Sequence, residues 1–346
     1  MKIIRFSVQG SPTIHFGVVI RDHAVAFDVL QSKSERSYPF LSDSRSYLMQ
    51  LPKSEAAAKD LLAWGERNLV ELAVGEKFAM ADVHLHEPVE VAALFDFGLT
   101  PRHLKNSAAV LMKYEKDDPQ VGPLLAAFAK SITAPKPKSA ADVPEALSFY
   151  KGNMNSIVGD GETVPWPRYT SRLDIEPELA VVYGNAKQTV AGYCIFNDVS
   201  ARDVQAPECV GGFCLTKDMD RGNQLGPYLV TPDEIGDPFK LKVTVTVNGQ
   251  AKFHGSTAEI SHKAEDIFAW LGFIAPLKSG TVAGFGTIPD CTGCDHDDFI
   301  DPGSAIEIAI ERLGTLHCRF AEPTTQLLPS RWPVRESLMK YQARMP

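Results

Sequence analysis

An α+β fold, predominantly β, is predicted for this 346-residue chain, and three observations predict it. Leu241, Val243, Val245 and Val247 alternate with Lys242, Thr244 and Thr246 ahead of Asn248-Gly249, the pattern of a strand entering a type I′ hairpin. Ile306, Ile308 and Ile310 alternate with Glu307 and Glu311 in the same way. Against these strands the second half offers one convincing helix, after Ser261, with Ala264, Ile267, Phe268 and Leu271 along a single face.

The length suits roughly two domains. Residues 1–92 read as a small mixed β/α unit, with strand-like runs at Ile3–Val8 and Phe16–Ile20 and a helix beginning over Ser54–Trp64. His15 and His23 are isolated in it and are assigned structural roles. From residue 93 the β-signals strengthen, and 93–346 is read as the larger domain. Within it, residues 103–148 look irregular to helical. They include Leu124–Lys130 and a Pro/Lys/Ser stretch, Pro135–Ser139, whose composition suits a surface loop or mobile lid.

Composition narrows the function. Hydrophobic residues at 44% and charged residues at 23% describe a globular chain, not a disordered one. A net charge of −8 argues against nucleic acid as a partner. No window approaches the roughly 18–20 apolar residues that cross a bilayer, and Met1-Lys2-Ile3-Ile4-Arg5 does not begin a signal peptide. Six cysteines in so long a chain are no disulfide framework and suit a reducing compartment, so a cytoplasmic location is expected.

The most informative segment is Leu173-Asp174-Ile175-Glu176-Pro177-Glu178-Leu179-Ala180-Val181-Val182. On a strand, Asp174, Glu176 and Glu178 share a face, about 6.5–7 Å apart in succession. The alternative is a solvated acidic face on an edge strand, which Pro177 would permit. A second polar run, Asn197-Asp198 to Gln205, follows an apolar stretch, and Asp96 sits in Leu94–Leu99. Asp96, Glu176, Glu178 and Asp198 together supply oxygen ligands suited to Mg²⁺, Mn²⁺ or Ca²⁺ over zinc. Cys291-Thr292-Gly293-Cys294 lacks the second ligand pair of a structural zinc site.

With Lys217-Asp218-Met219-Asp220 running on to Leu225-Gly226-Pro227, Gly286-Thr287-Ile288, and Asp301-Pro302-Gly303 through Leu313-Gly314-Thr315-Leu316, these segments resemble the fumarylacetoacetate hydrolase family. The resemblance implies a β-roll catalytic domain preceded by a small N-terminal domain, and a homodimer. It implies Mg²⁺ (or Ca²⁺/Mn²⁺) on Glu176, Glu178 and Asp198, with Asp96 added as in the fumarylacetoacetase branch. His103, seven residues after Asp96, becomes the catalytic histidine, and its acidic partner falls on Asp297 or Asp295, with Asp297 placed in the catalytic set. Lys217 and Gln205 become donors to an oxyanion. Tyr150, Arg202 and Thr287 become substrate contacts. Two departures, Gly98 where that branch has a tyrosine and Val110-Leu111-Met112-Lys113 in place of its arginine, point away from fumarylacetoacetate itself.

The expected activity is metal-dependent hydrolysis of a C–C bond in a 1,3-diketo acid, fumarylacetoacetate- or acylpyruvate-like. The alternatives are decarboxylation, hydration or tautomerisation of a 2-oxo acid on the same site, or a binding protein without turnover. The partner is a small molecule, neither nucleic acid nor membrane.

Overall fold

A computed structural model describes residues 1–134, 140, 143–209 and 212–342. The elements that position the site are β1 (Lys2–Val8), β2 (His15–Ile20), α1 (Lys53–Asn68), β3 (Ala93–Phe97), α2 (Pro101–Glu115), α3 (Val121–Thr133) and β4 (Phe149–Lys151). They continue with β5 (Pro177–Tyr183), β6 (Val190–Asp198), β7 (Asn223–Val230), β8 (Lys242–Val247), β9 (Gln250–Ser256), α4 (Ala264–Ile274), β10 (Thr281–Gly284), β11 (Ala305–Ile310) and β12 (Gly314–Phe320). The fold is the mixed α and β one expected. Helix is more plentiful than the sequence suggested, because α2 and α3 fill most of the segment read as irregular to helical. Pro135–Ser139 lies outside the described residues.

Two sheets carry the architecture. A 12-stranded sheet runs β2-β1-β7-β6-β5-β10-β3-β4 through its centre, so the first strands of the chain continue directly into those of the larger region. A five-stranded sheet holds β9-β8-β11-β12. Its β8–β9 turn has Asn248 at φ 50° and Gly249 at φ 78°, the pair of left-handed residues a type I′ turn requires.

Strand β5 explains its own composition. Leu179 and Val181 face a core shared with the second sheet and α4. Ala180 and Val182 face another, shared with Leu48, Leu51 and Leu61 of the N-terminal region. Covered on both faces, the strand reads as a continuous apolar run instead of an alternating one. The edge-strand alternative is thereby corrected: β5 lies between β6 and β10. Pro177 is tolerated because it is the first residue of the strand. Among the described residues no helix is long and apolar enough to cross a membrane.

Candidate active site

Three carboxylates converge at the ends of β3, β5 and β6. Asp96, Glu178 and Asp198 each offer an oxygen within 4.8 Å of the others', and all three residues are buried. The side-chain alternation puts Asp96 with Leu94, Glu178 with Ala180 and Asp198 with Phe196 on one face of the sheet, so the acids prolong the apolar face of the second core. Between β5 and β3 runs β10, whose Gly284 pairs with both Ala180 and Asp96. A Cβ at Gly284 would clash with Glu178 Oε2 and lie 2.9 Å from Asp96 Oδ1. Glycine here is what lets two side chains from next-nearest strands meet. Gly284→Ala is expected to weaken divalent-cation binding by at least about tenfold, as measured by Mn²⁺ titration of the folded variant.

Glu176, the fourth expected ligand, sits elsewhere in charge terms. The strand run breaks before β5, and Leu173–Asp174 pairs separately with Ser200–Ala201. Three carboxylates on one strand face is therefore corrected to two acids around the break and one on β5. Glu176 Oε1 pairs with Arg202 Nη1 at 2.6 Å and lies 3.4 Å from His103 Nε2. Its Oε2 accepts from Lys217 Nζ, which also bonds Asp198 Oδ2 and lies 4.0 Å from Asp96 Oδ2.

Protonation divides the acids in the same way. Burial opposes ionisation of Glu176, but Arg202, Lys217 and His103 outweigh it and hold the carboxyl well below its ordinary range. Burial pushes Glu178 well above its ordinary range, and Asp96 adds to it. Asp198 is raised well above by burial, which Lys217 only partly offsets, and burial raises Asp96 against the same Lys217. Asp96, Glu178 and Asp198 are therefore the acids whose ionisation the fold opposes, and the ones a bound cation would relieve. Asp96 Oδ1 is buried without a hydrogen-bond partner. An all-oxygen set with an orphaned acceptor fits a hard divalent cation.

His103 stands beside this cluster. Pro101 opens α2, and the buried residues His103, Ser107, Ala108, Leu111 and Glu115 follow the helical period, so the histidine is on the inner face. It is 4% exposed, which corrects the alternative of a surface residue at a helix start. Its Nδ1 lies 2.7 Å from Asp295 Oδ1, and Asp295 Oδ2 accepts from Asp290 N at 2.7 Å. That network assigns the proton on Nδ1 and leaves Nε2, facing Glu176, as the nitrogen that exchanges protons. Burial alone would lower the imidazole pKa, but Asp295 and Glu176 raise it to about 9.

Asp297, placed in the catalytic set from the sequence, is corrected to Asp295. Asp297 ends the short turn Gly293–His296 in the left-handed region at φ 50°. Its carboxylate accepts from Tyr114 OH at 2.9 Å and pairs with Lys113 on the outer side of α2. Arg202 is likewise not a free substrate contact. It is fully buried, with Nε on Asp174, Nη1 on Glu176 and Gln205 Oε1, and Nη2 on Thr292. Tyr150 donates to Asp198 Oδ1 at 2.9 Å, and Thr287 Oγ1 donates to Glu178 Oε1 at 3.4 Å, so both steady acids of the cluster.

Sequence reasoning missed Gly284. Its signal was Gly284-Phe285-Gly286, two glycines at the end of an apolar strand, which marks a close approach of neighbouring groups.

The family described as fumarylacetoacetate (FAA) hydrolase, C-terminal, matches residues 125–321, more than half of the chain. The chain belongs to the fumarylacetoacetate hydrolase family. Asp96 and His103 precede the matched residues and join the site only through the fold. Among relatives, the mitochondrial oxaloacetate tautomerase FAHD2A of Homo sapiens is 34% identical over 184 residues, covering 50% of this chain and 59% of that protein. The oxaloacetate tautomerase YisK of Bacillus subtilis (strain 168) is 28% identical over 275 residues, 76% of this chain and 81% of that one. The match thus spans under two thirds of the human protein's length. In fold, the chain is similar to maleylpyruvate hydrolase from Sphingobium sp. SYK-6, solved with manganese(II) and pyruvate. That likeness has a TM-score of 0.61 at 19% identity, over 94% of this chain and 100% of that one.

Proposed function

We propose that the protein hydrolyses a C–C bond in a 1,3-diketo acid of the acylpyruvate kind, using Mg²⁺ held by Asp96, Glu178 and Asp198. The observation that carries this reading is the buried His103–Asp295 pair, whose free nitrogen faces the acidic cluster across Glu176. When bound, the cation supplies Lewis-acid polarisation of the keto oxygens and stabilises enolate charge. In its neutral form, which the cation-free protein reaches as pH rises through about 9, His103 takes a proton from water at Nε2, and Asp295 stabilises the imidazolium that forms. The hydroxide attacks the carbonyl, the C–C bond breaks, and the departing carbon leaves as an enolate that takes back a proton. Lys217 donates to the developing oxyanion. Gln205 has its Oε1 held by Arg202 at 3.2 Å, which turns its amide NH₂ away from the guanidinium to act as a second donor.

The raised pKa has a measurable consequence. At about 9 it lies above the unfolded value near 6.5. Its contribution to the cation-free fold is therefore complete below about pH 6.5 and is lost as pH rises through about 9. Asp295→Asn is expected to lower the His103 pKa toward or below its ordinary value, since burial then faces only Glu176. Asp297→Asn is expected to leave it near 9. An NMR titration of the His103 ring protons checks both.

A second reading is tautomerisation of a 2-oxo acid, and the names of the human and Bacillus relatives favour it. The same residues serve: His103 moves one proton between carbon and oxygen, and no water is consumed. Incubation with Mg²⁺ and a panel of acylpyruvates and enol-oxaloacetate separates the two. Pyruvate and a second carboxylic acid from an acylpyruvate, with no CO₂ released, support hydrolysis, whereas loss of enol absorbance without fragments moves the assignment to tautomerisation. A flat trace with every compound overturns both.

A further inference from the structure

Asp174 begins the acidic stretch that pointed to the site, yet neither the cation cluster nor the proton chemistry uses it. Its carboxylate is fully buried and receives five donors. Oδ1 accepts from Ile175 N at 3.0 Å and Gly293 N at 2.9 Å. Oδ2 accepts from Arg202 Nε at 3.0 Å, Thr292 Oγ1 at 2.5 Å and Cys294 N at 2.9 Å. Gly293 permits the approach, because a Cβ there would lie 2.8 Å from Asp174 Oδ1.

These contacts close a ring. From Asp174 one arm runs through Arg202 to Glu176 Oε1, which lies 3.4 Å from His103 Nε2. The other arm runs through the backbone of Gly293 and Cys294 to Asp295, which holds His103 Nδ1. The Cys294 thiol reaches Ser107 Oγ at 3.6 Å, one helical turn beyond His103 on α2. Asp174 thus stands opposite the histidine in the ring, and both of the histidine's partners trace back to one carboxylate.

We infer that Asp174 is a positioning residue, anchoring the Thr292–His296 turn and the Arg202 guanidinium together and so setting Asp295 and Glu176 against His103. A buried carboxylate bound by five donors is rigid, and rigidity two contacts away is what keeps a proton-transfer pair aligned. The effect on turnover rests on the enzymatic reading above, while the effect on the His103–Asp295 hydrogen bond does not.

The test uses Asp174→Asn and the milder Thr292→Val, each in the full chain. Asparagine places an NH₂ among donors, and valine removes one donor to Asp174 and an acceptor for Arg202. The readout is the low-field NMR resonance of the His103 Nδ1 proton, identified by its loss in Asp295→Asn. Both variants are expected to shift or lose it. Mn²⁺ affinity should stay within about threefold, because the cation cluster is outside the ring. Turnover on whichever substrate the panel identifies should fall on the order of 10²-fold in kcat for Asp174→Asn, with KM little changed. Where Asp174→Asn does not fold, Thr292→Val carries the test. An unmoved resonance in a folded variant overturns the inference, whatever its thermal stability. A moved resonance with no activity in any protein, wild type included, leaves the positioning role standing and rejects the enzymatic reading.

Discussion

Glu178→Gln is expected to abolish divalent-cation binding and, without cation, to raise the melting temperature. Both signs follow from the same crowding. Glu178 Oε2 accepts from Gly286 N at 2.9 Å, a bond that glutamine's oxygen can keep. Its remaining surroundings are hostile to charge: burial first, then the carboxylates of Asp96 and Asp198. An amide at this position cannot ionise, so the burial penalty and the repulsion from Asp96 and Asp198 both disappear. A cation ligand is lost in exchange, and affinity for Mg²⁺ or Mn²⁺ should fall by about 10²-fold or more. Thermal melts with and without Mn²⁺ check both arms. A variant that still gains stability from Mn²⁺ like the wild type would place the ion elsewhere. In the wild type the raised carboxyls destabilise the cation-free fold as pH climbs above their ordinary range, so stabilisation by cation should grow with pH.

His103→Asn should remove turnover and leave the cation in place. Asparagine keeps a donor near the position of Nδ1 for Asp295 and lacks the Nε2 that faces Glu176. General-base catalysis of this kind contributes about 10²- to 10⁴-fold, and kcat should fall by that amount. Mn²⁺ affinity should change only a few-fold, since the imidazole's partners are Asp295 and Glu176 and not the three acids of the cation cluster. Stopped-flow assays beside Mn²⁺ titrations measure the two separately. Unchanged turnover would remove His103 from the chemistry and with it the hydrolytic assignment.

Much of this was legible along the chain. The hairpin at Asn248-Gly249 and the helix after Ser261 are written in turn chemistry and local period, and both stand in the structure. The acids of the cluster were legible as residue types at strand ends. Which of them would gather was not. Glu176 and Glu178 look equivalent in sequence, two positions apart. Arg202, Lys217 and His103, from three distant segments, compensate the first, while the charged groups that act on the second are other acids. Asp295 and Asp297 look equivalent too, but Asp295 lies within the Gly293–His296 turn, whereas Asp297 ends it in the left-handed region and turns outward to Lys113 and Tyr114.

By itself the sequence determined the secondary structure that depends on neighbours along the chain, and the inventory of hard oxygen ligands with a histidine near them. Only the tertiary structure decided that Asp96, Glu178 and Asp198 meet across Gly284, that Asp295 holds His103, and that Asp174 and Arg202 lock the remainder. The physical reason is that charge compensation and van der Waals room act through space. Across adjacent strands they are set by register and by the absence of one Cβ, and no periodicity along the chain encodes either.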